Sequence, residues 1–272
     1  MARARQALRQ RREQGGWTQE SFAFALGVAT STYKSWERGE KTPRVGYRPK
    51  LARLLDASLA QVEIYLDGQQ MAAPDGHQVP AWLGHLASLE QGASSIWAFE
   101  PVVVHGLVQT ATYAGAVERV GPASRPPEEE IAQRVKTRIA RQGVLVRQPD
   151  PLALSVVLDE SVLYRVAGDH QVMRRQLDHL AEMADRPNVD VRILSLTAGV
   201  FSAAFGAFQV LTSPGGSDPY MACVEDRAGP HYLDRPHEIE AHASLFEYLS
   251  GVALSPADSI DLLRSVSKER YQ

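Results

Sequence analysis

Along residues 1–66 apolar positions recur at helical spacing, and the breaks between the recurrences are explicit. The stretch "ARARQALRQRREQGG" predicts a first helix ended by Gly15 and Gly16. In "WTQESFAFALG" Thr18 takes the N-cap position, with Trp17 before it and Phe22 four residues after it, the two sites of a hydrophobic staple. Phe22, Ala25 and Leu26 form the predicted buried stripe, and Gly27 stands where a left-handed residue ends a helix. A third helix is expected from Ala29 or Thr30 to Arg38, with Tyr33 and Trp36 turned inward beside Val28. In "YRPKLARLLDAS" Tyr47, Leu51, Leu54 and Leu55 fall at i, i+4, i+7 and i+8, a fourth helix that accommodates Pro49 only in its first turn. A fifth opens at "SLAQ", where Ser58 and Gln61 fit a capping box, and buries Val62, Tyr65 and Leu66. Five short helices in so few residues predict a compact all-α bundle. The second and third, joined by a Gly-containing turn, are what a helix-turn-helix requires.

Periodicity then fails in "DGQQMAAPDGHQVP", which predicts a linker over residues 68–80 between a bundle at 1–67 and a second domain at 81–272. In that domain helices are expected at 81–96, 109–119, 128–146, 169–185, 236–251 and 255–268. The apolar runs "LALSVVLD", "VDVRILSL", "GAFQVLTS" and "YMACVED" predict strands, with "TSPGGSDP" as a hairpin loop between the last two. Pro187 and Asn188 break the chain before "VDVRIL". The order predicts an α+β domain.

Composition narrows the class. The 272 residues are 44% hydrophobic and 22% charged, as in a soluble globular protein, and no run approaches the ~18 apolar residues of a membrane span. The Arg-rich start lacks the apolar region of a secretory signal, and Cys223 alone supplies no internal disulfide, so a cytoplasmic protein is expected. Net charge is −3, but its distribution is uneven. Residues 1–50 hold eight Arg and three Lys against four Glu, a net +7, while the other 222 carry 18 basic and 28 acidic side chains, a net −10. Positive potential gathered at one end suits a chain of which only that end meets a polyanion.

The pattern "TQESFAFALGVATSTYKSWERGEKTP" resembles the XRE (Cro-repressor-like) helix-turn-helix family over residues 3–67, with the Gln, the turn Gly, the "WERG" end and the following Pro all in place. The resemblance implies that Thr30, Ser31 and Ser35 face base edges in the major groove, with Lys34 beside them. It puts Gln19, Arg38 and Lys41 at phosphate-contact positions. Short hydroxyls suit base edges, and amides and cations suit phosphate oxygens. Ala29 departs from the hydroxyl or amide residue usual at the third helix's N-cap, which leaves Thr30 to serve as cap. Only Lys34 among the base-facing residues is long, so DNA shape is expected to contribute to specificity.

Residues 82–268 resemble the large domain that follows such a helix-turn-helix in actinobacterial WhiJ-like and antitoxin-like regulators. The match is carried by "GLVQTATYA", "RIARQGVL", "VVLDESVLYRVAG", "MRRQLDHLAEMADRPNVDVRIL", "FGAFQVL" and "LSPADSIDLL". His105 stands where that group usually has Pro before "GLVQT", and Ser195 where Pro usually follows "VRIL". Within or near these segments Gln109, Arg138, Arg141, Gln142, Glu160 and Glu225 are polar groups among apolar ones. They are expected either to line a pocket for an effector or partner, or to form ion pairs that fix helices to the sheet.

No nucleophile elbow and no phosphate-binding loop is found, and the "PGGS" glycines fit a turn. His237 and His242, five residues apart, fall about 140° apart on a helix, unlike a pair that shares a face for a metal. Neither a cofactor nor a metal is expected, nor any catalytic residue. Cys223 alternates as strand core does and is expected to be a buried, inert thiol. The expected function is that of a sequence-specific transcriptional regulator, not an enzyme. Its implied partners are double-stranded operator DNA and a second copy of itself in a homodimer. By resemblance they include a small protein encoded beside it in an antitoxin-like pair, with a small-molecule effector as the other occupant of the C-terminal domain. Two alternatives stand beside it: a ligand-triggered enzyme using Glu160 and Glu225, and a protein-interaction module without DNA binding.

Overall fold

The computed structural model describes residues 5–57, 62, 65–66, 81–120, 126–199, 206–212, 216–226 and 229–271. The chain divides into two units, residues 1–86 with 229–234, and residues 87–228 with 235–272. The expected linker at 68–80 and the capping box at Ser58 and Gln61 lie outside the described residues.

In the first unit α1 (Gln6–Gln14) ends at Gly15, and Gly16 follows with φ 73°. α2 (Gln19–Leu26) begins at Thr18, whose hydroxyl accepts from the Ser21 amide while the Ser21 hydroxyl accepts from the Thr18 amide. Gly27 closes α2 in the left-handed region at φ 77°, where a side chain would be strained. α3 (Thr30–Glu37) and α4 (Arg48–Leu55, with Pro49 in its first turn) follow, and Val62, Tyr65 and Leu66 are also helical.

The core is threaded by aromatic contacts: Trp17 to Phe22 at 5.7 Å, Phe22 to Tyr33 at 5.0 Å, Tyr33 to Trp36 at 6.2 Å and Trp36 to Tyr47 at 5.3 Å. The staple expected of Trp17 and Phe22 is the first of these. The stripe on α2 differs from expectation by one position. Ala23 is fully buried with Phe22 and Leu26, and Ala25 is half-buried, because α2 packs against α3 on one side and α4 on the other.

In the second unit α5 (Ala81–Gly92) leads into β1 (Ser95–Glu100). The helix expected over 81–96 therefore stops at Gly92, and "SIWAFE" is a strand. Its alternation explains this: Ile96 and Ala98 serve one sheet face and Trp97 and Phe99 the other, as suits a strand covered on both sides. Then come α6 (Ala111–Glu118), α7 (Glu128–Arg141), β2 (Ala153–Asp159), α8 (His170–Ala184), β3 (Val189–Leu194), β4 (Phe208–Thr212) and β5 (Pro219–Asp226). α9 (Pro236–Val252) and α10 (Pro256–Arg270) follow, while β6 (Gly229–Leu233) belongs to the first unit's segment 229–234. The expected 128–146 helix gives way at Gln142 to a 3-10 turn reaching Leu145, and β6 was not anticipated.

The strands of the second unit lie in the order β3-β2-β1-β4-β5. β1 pairs in parallel with β2, and β2 with β3. β1 is antiparallel to β4, and β4 and β5 form the antiparallel pair expected of the hairpin. One face carries Ala98, Val156, Leu158 and Val191 in a core shared with Met173 and Leu177 of α8. The other carries Trp97 and Phe99, with the Trp97 ring stacked on Phe246 of α9 at 5.9 Å and 17°. α8 and α10 pack side by side.

Candidate functional site

The turn from Gly27 to Ala29 delivers the chain into α3. Ala29 is its N-cap and makes no side-chain cap bond, so Thr30 is the first helical residue and not the cap that the sequence suggested. Thr30 is half-buried, Ser31 exposed and Lys34 half-buried. Ser31 and Lys34 carry side-chain polar groups with no hydrogen-bond partner among the described residues. Ser35, expected beside them, is covered: it is 6% exposed and its hydroxyl donates to the Thr32 carbonyl at 2.6 Å. One turn beyond Ser31, it shares that residue's face of α3, but its hydroxyl is folded back onto the helix and the Glu40 and Lys41 amides donate to its carbonyl.

The expected phosphate residues divide. Lys41 is exposed. Arg38 is also exposed but donates to both carboxylate oxygens of Glu40, at 2.7 and 2.9 Å. Gln19 is half-buried, and its amide nitrogen donates to Glu37.

Glu37 was not singled out in the sequence, yet it gathers three helices. Its 4%-exposed side chain accepts from Arg12 of α1 at 2.6 Å as well as from Gln19 of α2. Arg12 also donates to the Trp17 carbonyl at 2.5 Å. Burial, with the Glu37 carboxylate alongside, holds the Tyr33 phenol well above its ordinary range. Arg5 is buried too, donating to the carbonyls of Trp36 (2.9 Å), Lys41 (2.6 Å) and Leu66 and to the Thr42 hydroxyl (2.7 Å). Arg11 donates to the Leu55 and Asp56 carbonyls, capping the end of α4. Much of the N-terminal positive charge counted in the sequence is thus structural.

Four of the six polar residues expected in the second domain lie close together. Gln109 donates to the Val104 carbonyl and accepts from Arg138 at 2.9 Å, while Gln142 donates to the Gly106 and Gln109 carbonyls. Arg138 also donates to Glu118 at 2.5 Å, and Arg141 forms a two-pronged pair with the fully buried Glu90 at 2.8 and 2.5 Å. Strand register sets the groups facing them. Ala98, Gln209 and Cys223 form one cross-strand row, and Glu100 and Glu225, two residues further along β1 and β5, share its face.

Burial, with the Glu225 carboxylate adding to it and Arg138 opposing, raises the Glu100 carboxyl well above its ordinary range. Burial pushes the His105 imidazole down to about 4, and its ring nitrogen contacts Gln209 at 3.3 Å. Burial and Glu225 push the Cys223 thiol up to about 12, which keeps it protonated and a poor nucleophile. Glu90, Glu100, Glu118 and Gln209 were missed in the sequence, and His105 was noted there only as a departure from Pro. Gln209, a polar residue inside the apolar run "AFQVL", was the available signal.

Glu160 is not in this group. It follows β2, where its carboxylate accepts from the Ser195 hydroxyl at 2.9 Å and the Leu196 amide at 2.8 Å. It therefore holds a turn instead of meeting Glu225. The two departures from the resembled group both cap short 3-10 turns. His105 accepts from the Leu107 amide at 3.3 Å, and Ser195 from the Thr197 amide at 3.2 Å. His242 is engaged by the Glu238 carbonyl at 2.7 Å and by the Phe208 ring, while His237 is exposed.

Residues 8–62 match the family model described as helix-turn-helix. The class defined by this match and by the α2–turn–α3 geometry is that of DNA-binding regulators with an XRE-type helix-turn-helix domain. Residues 83–265 match the model described as a domain of unknown function (DUF5753), and the chain belongs to that family. No curated protein and no solved structure matches the chain.

Replacing Glu37 by Ala strands the Arg12 charge in the core, and urea unfolding is expected to show a loss of about 3–5 kcal/mol from the helical unit. Arg38→Ala, which opens an exposed pair, is expected to leave the unfolding curve nearly unchanged. A second prediction follows from Glu100. Folding favours its protonated form, so its contribution to stability is present below the ordinary carboxylate value of 4.5 and is lost as pH rises through the raised folded value. Glu100→Gln is expected to flatten the fall in melting temperature above that pH; an unchanged profile would show that the carboxyl is not held protonated.

Proposed function

We propose that the chain is a cytoplasmic, sequence-specific transcriptional regulator that binds a two-fold symmetric operator as a homodimer, with α3 in the major groove. The observation that carries this is the outward presentation of Ser31 and Lys34 on a helix whose other face is locked by Tyr33, Trp36 and Glu37. A short hydroxyl and a cation on a rigid helix suit base edges and phosphates, and Lys41 extends the positive surface beyond the helix end. Ala29 leaves the first-turn amides of α3 without a side-chain cap, and uncapped amides at a helix start suit phosphate oxygens. With the Ser35 hydroxyl held by the Thr32 carbonyl, base contacts fall on Thr30, Ser31 and Lys34, and sequence-dependent DNA shape supplies part of the specificity.

The C-terminal domain, in this proposal, holds a partner or effector and performs no catalytic step. The resemblance to WhiJ-like, antitoxin-like regulators supports a small protein encoded beside it as that partner. A small-molecule effector is the other occupant, and the polar cluster around Arg138 is the first place to look for either.

Pull-down and sequencing of fragmented genomic DNA tests the proposal. Wild type is expected to enrich a few sites that share a symmetric motif, and Ser31→Ala/Lys34→Ala to lose them. Equal enrichment by both would remove α3 from recognition, and no enrichment by folded wild type would remove direct DNA reading by the free protein.

A further inference from the structure

We propose that a cavity between the sheet and α9 in the second unit is a binding site for a small aromatic zwitterion, a planar ring carrying both a carboxylate and an ammonium group. The cavity measures about 360 Å³ and is lined by Trp97, Arg192, Phe246, Glu247, Ser250 and Gly251. That volume lies at the small end of ligand sites, and an aromatic lining with a few fixed polar groups is their usual make-up. Occupancy of this site can be measured without DNA, so the proposal stands or falls apart from operator recognition.

Strand register builds the floor. Trp97, Ser155 and Asp190 form one cross-strand row, and Arg192 lies two residues beyond Asp190 on the same face. Arg192 is fixed in place: its Nε donates to Asp190 at 2.9 Å and its Nη1 to the Ser250 carbonyl at 3.2 Å. Its Nη2 has no hydrogen-bond partner among the described residues. A guanidinium held on one edge and open on the other is a prepared anchor for a carboxylate.

The wall supplies the rest. Trp97, half-buried, stacks on the buried Phe246 at 5.9 Å, and its indole is the aromatic surface left to a ring. Glu247 is exposed on α9, and its carboxylate has no hydrogen-bond partner among the described residues. The open edge of an Arg192 already paired with Asp190, the available Glu247 carboxylate and an aromatic wall around a single cavity match a ligand that carries both a carboxylate and an ammonium group. An aromatic acid without an amino group would meet repulsion from Glu247, and an aromatic amine without a carboxylate would leave the open edge of Arg192 without an acceptor.

Ligand-observed saturation-transfer NMR on the full chain tests this, with L-tryptophan as probe against indole-3-propionate and tryptamine, which each lack one charge. L-tryptophan is expected to bind, and each of the other two to bind about tenfold or more weakly. Arg192→Gln is expected to weaken L-tryptophan by about tenfold or more. Glu247→Gln changes an exposed residue and so tests the site without disturbing the sheet. It is expected to weaken L-tryptophan while leaving indole-3-propionate unchanged or tighter. No saturation transfer to millimolar L-tryptophan would overturn the proposal. So would equal binding of L-tryptophan and indole-3-propionate, or indifference of L-tryptophan to Glu247→Gln.

Discussion

The recognition helix owes its attitude to one buried carboxylate. Glu37, the last residue of α3, accepts from Arg12 of α1 and Gln19 of α2, and its backbone carbonyl accepts from the Arg5 amide at 2.6 Å. A charge in a core is costly alone and holds its place only when its partners are fixed. Here the partners come from the two helices that must be registered against α3. The same ion pair therefore satisfies the charge and sets the helix packing. Arg5 extends the arrangement by tying the end of α3 and the Lys41 turn to Leu66.

That internal use of arginine changes what the surface presents. The basic N-terminus is not a uniformly positive arm, since Arg5 and Arg12 are enclosed, Arg11 caps α4 and Arg38 is paired with Glu40. What remains outward around α3 is sparse: Ser31, Lys34 and Lys41. Few long side chains reach out, so a module of this kind draws part of its specificity from DNA shape. In the second unit β1 has the comparable organising role. It is the strand at which parallel pairing on one side meets antiparallel pairing on the other. The polar cluster and the Trp97 cavity lie on opposite faces of the sheet it anchors.

How legible this was depended on whether the deciding contact was local. Thr18, Gly27, Pro49 and the Trp17–Phe22 staple act within one turn of their own helix, and each was readable from spacing. Glu37 was not, because its partners lie 25 and 18 residues away and nothing in "SWERG" marks the Glu as buried. Ser35 was placed outward by resemblance and does share the face of Ser31, but spacing could not show its hydroxyl folded back onto the Thr32 carbonyl. β1 was hidden because "SSIWAFE" follows a helical stretch without a strong breaker, and its two-sided burial shows only once β2 and β4 flank it. In the polar cluster the association of Gln109, Arg138 and Gln142 was legible as a set of polar residues in apolar segments. Glu160 was grouped with them although strand order carries it to the far side of β2, away from β4 and β5.

The most direct test of the central claim, that α3 reads DNA through a small and partly cationic face, is the salt dependence of affinity for a genomic fragment recovered with the full chain. Each phosphate neutralised contributes about −0.9 to the slope of log K against log salt. Wild type is expected to show a steep negative slope, and Lys34→Ala a shallower one with weaker binding at every salt. An affinity indifferent to salt and to the loss of Lys34 would contradict the account and leave the bundle as a protein-binding module.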